Sequence, residues 1–567
     1  MPAPIDLPGS NSRWTSLVGT GLRAYLSRRI RLLNDAGYWQ RHAGRIQRRQ
    51  LRSLLRTAAE TEIGTKKQFA AIARRGDADI VAAYRDQVPI ADWYAYRSEI
   101  ARMREHGETD VLWPGLVRDF AQTSGTTAGD KYIPVSREML RSNFRASLDI
   151  FANLARFGVP LNWATAGKIL FLGGSTNLEQ NEHGVRTGDL SGIVTPLIRW
   201  PLSEVYLPGA KIALMSHWPS KIEAMARRCL NEDVRVISGM CSWGLVLMER
   251  VMQMARDEGR RVQTIRDVWP NFSVFIHGGV KYAPFDPRVR AIFSGRTDGP
   301  DLPARLELYP ASEGFVAIQD EKGSPSLRLN TDIGLFHEFV PLEEVDRPDA
   351  RAFTCDTVEK GQKYVVVLST CAGLWRYVLG DVVEFDAVPG RMDGSGEGVG
   401  GDGPPRLRIV GRHRHFINAF GENLIVEHIE NAVAKAAMAA SLVVGEFTAA
   451  PVYPTGGSRA GLELAVEIEG KPGEAPGADA PAAITAFREA FDAALKEQNV
   501  DYTTKRTGDL GMTAPTITVL PSGSFHKWMQ SKGKLGGQHK CPRCKNDREI
   551  IEQVTGLARH ETAPPRR

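Results

Sequence analysis

The chain has 567 residues, more than one hydrophobic core usually supports, so two or more domains are expected. Hydrophobic residues at 42%, charged residues at 24% and a net charge of +6 are ordinary for a soluble globular protein. No apolar run approaches the roughly 18 residues of a membrane span, no secretory leader opens the sequence, and six cysteines are too few for a disulfide framework, so a cytoplasmic protein without membrane association is expected.

Residues 20–60 read as helices. Arg23, Arg28, Arg29, Arg31, Arg41, Arg45, Arg48, Arg49, Arg52 and Arg56 crowd there, beside Leu51, Leu54, Leu55, Ala58 and Ala59 at helical spacing. That pattern favours the solvated face of amphipathic helices over a nucleic-acid patch, because no recognised binding motif accompanies the arginines.

The stretch Thr123-Ser124-Gly125-Thr126-Thr127-Ala128-Gly129-Asp130-Lys131-Tyr132-Ile133-Pro134 follows. Its glycines permit a tight loop, its hydroxyls and backbone N–H groups supply donors, and Lys131 adds charge, as a polyphosphate requires. The spacing is not that of a Walker A loop. A helix is predicted over 137–157. Helical patterns at 219–230 and 241–258 then alternate with β-rich runs at 168–172 and 273–276, and further strands read at 306–309, 315–318 and 364–368. This alternation implies an α/β domain with sheets flanked by helices.

Three clusters sit at strand ends. His277-Gly278-Gly279-Val280 suits backbone lying flat against a planar ligand. Tyr309-Pro310-Ala311-Ser312-Glu313-Gly314 offers an aromatic face for a purine, a hydroxyl, and a carboxylate able to hold Mg²⁺ against phosphate oxygens. Asp381, between apolar strand residues, can accept two hydrogen bonds from a ribose diol. Each cluster taken alone also fits a plain turn.

The Gly/Pro-rich 389–405 reads as a flexible loop or linker, and the basic 411–425 as a hinge. Beyond it come a strand at 407–410, a helix at 421–437, strands at 441–448 and 461–468, a helix at 482–497, a strand at 515–520 and a helix near 523–532. This describes a smaller C-terminal α+β domain, dividing the chain into 1–410 and 411–567. Cys541 and Cys544, a lone CxxC, read as incidental thiols rather than a zinc site.

In this order and spacing the clusters resemble the adenylate-forming superfamily, and within it the Gretchen Hagen (auxin-responsive promoter) family of acyl acid amido synthetases. The 123–134 stretch, Tyr309-x-x-Ser312-Glu313, Arg376-Tyr377-x-x-Gly380-Asp381 and Gly523-Ser524-Phe525…Gln538-His539-Lys540-Cys541-Pro542-Arg543 carry the likeness, over about residues 50–545. The resemblance implies a large adenylation domain and a mobile C-terminal lid. It implies ATP and Mg²⁺ as cofactors, with a small carboxylic acid and an amino acid or other amine as substrates. Ser124, Gly125, Thr126, Thr127, Gly129 and Lys131 would hold phosphates, Tyr309 would stack on adenine beside Gly278 and Gly279, and Ser312 would join the nucleotide site. Asp381 would hold the ribose with Arg412 close by, Glu313 would bind Mg²⁺, and Lys540 would reach in from the lid, with Thr126 and Glu313 also catalytic. The expected state is a monomer or weak homo-oligomer. Transfer to a thiol such as coenzyme A is the alternative. A non-catalytic nucleotide-binding protein ranks last, since Lys131, Glu313, Asp381 and Lys540 are all present. An acyl pocket is expected within 145–250, with Phe171–Ser175 and Trp243 as walls.

Overall fold

The computed structural model describes residues 7, 16–123, 131–173, 178–195, 202–215, 217–279, 282–393, 396–413, 416–417, 420, 422, 424–454, 459–469, 480–521, 523–531 and 541–562. Its largest element is an eleven-stranded sheet with a parallel and an antiparallel half. The parallel strands lie in the order Tyr206–Leu207, Lys168–Phe171, Val234–Gly239, Val274–Gly278 and Ala304–Ala311. Parallel neighbours need crossover connections, supplied here by Trp218–Cys229, Cys241–Asp257 and Asp286–Ser294. Lys168–Phe171, Val274–Gly278, Ala304–Ala311, Trp218–Cys229 and Cys241–Asp257 follow from the runs read in the sequence, with shifts of a residue or two at their ends, whereas Tyr206–Leu207, Val234–Gly239 and Asp286–Ser294 are additional.

Alternation along the strands sends residues to two different cores. Leu170, Ile237 and Phe275 join the crossover helices in one buried cluster, while Val236, Val274, Ile276 and Leu306 join the N-terminal helices in another. Helix Ala36–Thr57 contributes Leu51, Leu54 and Leu55 to that second core, so the apolar face expected between 20 and 60 is buried. In chain order the parallel half runs 2-1-3-4-5. Its order reverses between Lys168–Phe171 and Val234–Gly239, and such a reversal opens a crevice at the carboxyl ends of the strands.

The antiparallel half continues from Ala304–Ala311 through Gly314–Gln319, Leu327–Leu329, Arg406–Arg412, Tyr377–Ala387, Lys363–Thr370 and Leu335–Pro341. Arg406–Arg412 runs two residues past 410, so main-sheet pairing continues across the boundary read from the sequence. The strand Leu335–Pro341 is buried throughout although it carries His337 and Glu338. Helix Ala36–Thr57 makes this tolerable: Gln47 Oε1 accepts the His337 N–H at 2.8 Å, and Gln47 Nε2 donates to the Leu335 carbonyl at 3.0 Å. Glu338 in turn receives Arg85 Nε at 2.8 Å on one oxygen and Arg376 Nε at 2.9 Å on the other.

A separate four-stranded sheet contains the hairpin of Asp119–Thr123 and Lys131–Val135. The C-terminal region has a three-stranded sheet of Val443–Val452, Gly461–Glu469 and Thr516–Leu520, covered by helices that include Val426–Ala440 and Ala480–Gln498. This is the small α+β unit expected.

Three readings are corrected. The stretch 389–405 is not simply a loop: Arg391–Met392 pairs with Gly398–Val399, and Gln40 Nε2 donates to the carbonyls of Gly400 and Gly401 at 3.1 and 3.0 Å. Backbone pairing, not a hydrophobic core, holds it. The helix expected from 421 begins at Val426, because Leu424–Ile425 first pairs with Phe416–Ile417. A further helix, Glu549–Thr562, went unforeseen; its Ile550, Ile551 and Val554 pack with Phe525 and Trp528. Cys541 and Cys544 are buried thiols, each pushed up to about 12 by burial, and among the described residues no group of three metal-binding side chains exists.

Glu338 is nearly inaccessible and neutralises two guanidiniums. Glu338→Ala would leave buried Arg376 without its partner and is expected to destabilise the protein by about 3–5 kcal/mol. A urea unfolding midpoint unchanged from wild type would contradict this.

Candidate active site

Flat sheet geometry would hold Ala304–Ala311 and Tyr377–Ala387, four places apart in the sheet, about 19 Å from each other. Yet Tyr309 Oη donates to Asp381 Oδ2 at 2.7 Å. The antiparallel half therefore curls strongly, as twisted sheets do, and register breaks at Phe315/Ala317, Val382/Val383 and Phe385/Ala387 assist the bend.

Two tyrosine–carboxylate pairs cross this curl in opposite senses. Tyr309 sits near the carboxyl end of Ala304–Ala311, and Ser312-Glu313 forms the two-residue turn into Gly314–Gln319. From the other strand, Tyr377 Oη donates to Glu313 Oε1 at 3.1 Å, while Asp381 receives Tyr309. Tyr377 and Asp381 flank an irregular stretch of their strand, where the pairing with Lys363–Thr370 shifts register between Val378 and Val382. Arg412, paired directly opposite Asp381 in the neighbouring strand, donates from Nε to Oδ1 at 2.5 Å.

Burial, then the adjoining carboxylate, raises both tyrosine hydroxyls well above their usual range, so they remain donors. Burial also raises the Glu313 carboxyl, against the pull of its own backbone N–H, Lys131, Tyr377 and Arg412. Asp381 is buried, and each of its oxygens already accepts one bond, leaving lone pairs for two further donors. At Gly380, φ of +92° makes the turn into Asp381, and the His413 N–H bonds the Gly380 carbonyl at 3.1 Å. Behind the site Arg376 is not a ligand group: its φ of +47° and the buried pair with Glu338 mark it as the support for Tyr377.

On the parallel side, Gly278 ends its strand opposite Leu308, one residue before Tyr309. A Cβ on Gly278 would lie 2.6 Å from the Leu308 carbonyl oxygen, so only glycine fits. Gly279 follows with φ of +82°. Beside them His277 is buried, stacks on Tyr282 at 4.5 Å, and is pushed down to about 3 by burial and then by Arg305. Half-buried Glu307, opposite His277, is raised to about 7 by burial against the pull of Arg305.

The structure thus brings Lys131, Glu313, Tyr309, Asp381 and Arg412 into one electrostatic neighbourhood, with Gly278, Gly279 and Ser312 on its strand ends. Lys131 is the first residue of its strand, paired with Thr123 across 124–130. Ser124, Gly125, Thr126, Thr127, Gly129 and Lys540 lie outside the described residues. The tyrosine ring assigned to a purine is buried, with its hydroxyl committed to Asp381. Trp243 is buried against Trp218, centroids 3.9 Å apart, so it serves the core rather than a cleft wall. Tyr377 was given no role by its sequence. The register break between it and Asp381 leaves no local periodicity that points to it.

The arrangement offers a half-buried carboxyl, a lysine and an arginine beside a carboxylate with free lone pairs. Such a set can hold a polyphosphate at one end and a diol at the other. A single carboxylate also fits Mg²⁺, which is usually bound by one or two carboxylates together with phosphate oxygens.

Comparisons with known proteins identify the family and the fold. The GH3 family N-terminal domain matches residues 38–200 and 186–297, its central domain 329–392, and its C-terminal domain 427–549. A probable indole-3-acetic acid-amido synthetase, GH3.1 of Arabidopsis thaliana, is 21% identical over 576 residues, covering 90% of this chain and 91% of the relative. Jasmonoyl–L-amino acid synthetase JAR4 of Nicotiana attenuata is 30% identical over 126 residues, 21% of each protein. Among solved structures, the GH3.15 acyl acid amido synthetase in complex with 2,4-DB superposes with a TM-score of 0.54 at 17% identity, over 95% of this chain and 96% of that one. A 2-hydroxyisobutyryl-CoA ligase superposes with a TM-score of 0.51 at 13% identity, over 90% and 91%.

The raised Glu307 sets a pH test. Between about 4.5 and about 7 the folded state holds this proton while the unfolded state releases it, so the group's contribution to stability is full below 4.5 and lost as pH rises to 7. Glu307→Gln is expected to flatten that part of the stability–pH curve and to exceed wild type at pH 8. Parallel curves for the two proteins would contradict the assignment.

Proposed function

The chain belongs to the GH3 family, and from that premise we propose that it is an ATP-dependent acyl acid amido synthetase. A carboxylate oxygen of the acid attacks the α-phosphorus of ATP, the bond to the β-phosphate oxygen breaks, and pyrophosphate leaves. An amine, by preference that of an amino acid, then attacks the acyl carbon. AMP departs with the electrons of the C–O bond, and the amine loses a proton as the amide forms.

The observation that carries the reading is the convergence of Glu313, Tyr309, Asp381 and Arg412 at the carboxyl end of the parallel half, with the charge of Lys131 felt at Glu313. Asp381, held by Tyr309 and Arg412, accepts the ribose hydroxyls through its remaining lone pairs. Lys131 and the hydroxyls of 124–127 neutralise phosphate charge. Glu313, oriented by Tyr377, is the residue that holds Mg²⁺; the ion supplies charge neutralisation of the phosphate oxygens. In such a reaction nearly all catalysis is positioning and electrostatic stabilisation, which suits a site made of fixed donors rather than of a nucleophile. The adenine is proposed to lie on the strand end formed by Gly278 and Gly279, beside Tyr309. The acid is placed at the order reversal of the parallel strands, beyond Phe171 and Gly239.

Residues 411–567 act as the lid, with Lys540 delivered to the α-phosphate during adenylation. The pairing of Arg412 with Asp381 makes the hinge part of the ribose site, so lid movement and nucleotide binding are coupled.

The test is ATP–pyrophosphate exchange across a panel of carboxylic acids, followed by amines and coenzyme A on the best acid. Amide product with an amino acid supports the proposal; acid-dependent exchange with thioester as the sole product would replace it by a thiol ligase. Lys540→Ala is expected to slow exchange by about 10²–10³-fold, the loss typical of one transition-state donor. An unchanged rate would remove Lys540 from adenylation.

A further inference from the structure

Helix Ala36–Thr57 buries its leucines and turns a stripe of arginines outward. Arg41, Arg45, Arg49, Arg52 and Arg56 are spaced by three or four residues, which keeps them on one face over about 22 Å at 1.5 Å per residue. At the helix's C-terminal end the turn 74–77 faces this stripe. Between them lies a groove of about 680 Å³ lined by Arg49, Arg52, Arg56, Arg74, Arg75 and Asp77.

Among the described residues, Asp77 is the only acidic side chain lining this groove of five arginines. Asp77 pairs with Arg52 at 2.5 Å, and Arg52 also donates to the Arg75 carbonyl at 2.9 Å, which fixes one guanidinium at the groove's centre. Arg49, Arg56, Arg74 and Arg75 are exposed, and among the described residues none of them forms an ion pair. Elsewhere on this helix the contrast is plain: Arg48 is held by buried Asp356. Four unpaired guanidiniums converging on one concavity repel one another until an anion enters, and planar donor forks match phosphate oxygens.

Shape and composition select among anions. The apolar face of this helix is spent in the core, through Leu51, Leu54 and Leu55, so it has nothing to insert into a bilayer. No aromatic side chain lines the groove, so it lacks the stacking platform on which single-stranded nucleic acid is held. We propose that the groove is a binding site for a small anion carrying several phosphate groups, gripped by Arg49, Arg56, Arg74 and Arg75 around the fixed Arg52. None of the residues of the nucleotide site lines it, and the proposal does not depend on the reaction assigned above.

The probe is inorganic tripolyphosphate, titrated calorimetrically into the full-length protein at 50 and 200 mM KCl without divalent ions. Wild type should show a binding event that weakens with salt. Arg49→Ser/Arg56→Ser/Arg74→Ser should weaken that event at least tenfold, whereas the charge-matched Arg141→Ser/Arg227→Ser/Arg296→Ser, on other exposed surfaces, should retain it. Arg74→Ser/Arg75→Ser, confined to an exposed turn, is the second variant should the triple change impair folding, and it carries the same expectation. Equal weakening in the charge-matched control, or no event lost in the groove variants, would overturn the site in favour of a diffuse field. Binding of phosphatidylglycerol vesicles or of an RNA oligonucleotide that tripolyphosphate does not displace would also overturn it.

Discussion

The hydrogen bonds Tyr309–Asp381 and Tyr377–Glu313 tie together two strands that stand four places apart in a single sheet. Tyr377 and Asp381 come from one strand, Tyr309 from the other and Glu313 from the turn that follows it, so the two bonds act as a reciprocal clasp across the curl. Without the curl, Glu313 and Asp381 would stand far apart, and no single nucleotide could touch both. With it, Glu313 and Asp381, the carboxyls proposed for the metal and for the ribose diol, are held in one site by fixed donors. The desolvation that this requires is visible in both tyrosine hydroxyls and in the Glu313 carboxyl, all pushed up by burial.

The clasp needs support from behind. Arg376 adopts a left-handed φ of +47°, an unfavourable conformation for a residue that carries a Cβ, and its guanidinium is locked to Glu338 and to the Val88 carbonyl at 2.8 Å. Its backbone N–H meets Ser369 Oγ at 3.1 Å, and that hydroxyl also bonds Tyr84. The residue immediately before Tyr377 is thus overdetermined, and its rigidity passes to the ring that aims at Glu313. A sequence motif that reads as arginine-then-tyrosine is divided by the fold into a structural half and a site half.

Much of this was legible in the residues. Apolar runs such as 364–368 and helical repeats such as 241–258 mark their elements, and the ends differ from the structure by only a residue or two. The strand-end clusters at 277–280, 309–314 and 376–381 were legible too, because glycines and carboxylates interrupt apolar runs there. Other features have no local signature. Leu335–Pro341 hides among polar residues whose partners, Gln47, Arg85 and Arg376, are distant in sequence. The roles of Tyr309 and Tyr377 depend on sheet curvature, which no single strand encodes. The pairing inside 389–405 rests on backbone contacts to Gln40 rather than on side-chain pattern. For the N-terminal arginines, spacing reveals the stripe, but only the turn at 74–77 makes it concave.

The claim on which the account rests is that this curled sheet presents one nucleotide with both carboxylates. A crystal structure with Mg²⁺ and a non-hydrolysable ATP analogue tests it most directly. The account places the ribose hydroxyls on Asp381 and the phosphates between Lys131 and Glu313, with the tyrosine clasp intact. A nucleotide bound at a surface that touches neither Glu313 nor Asp381 would contradict it.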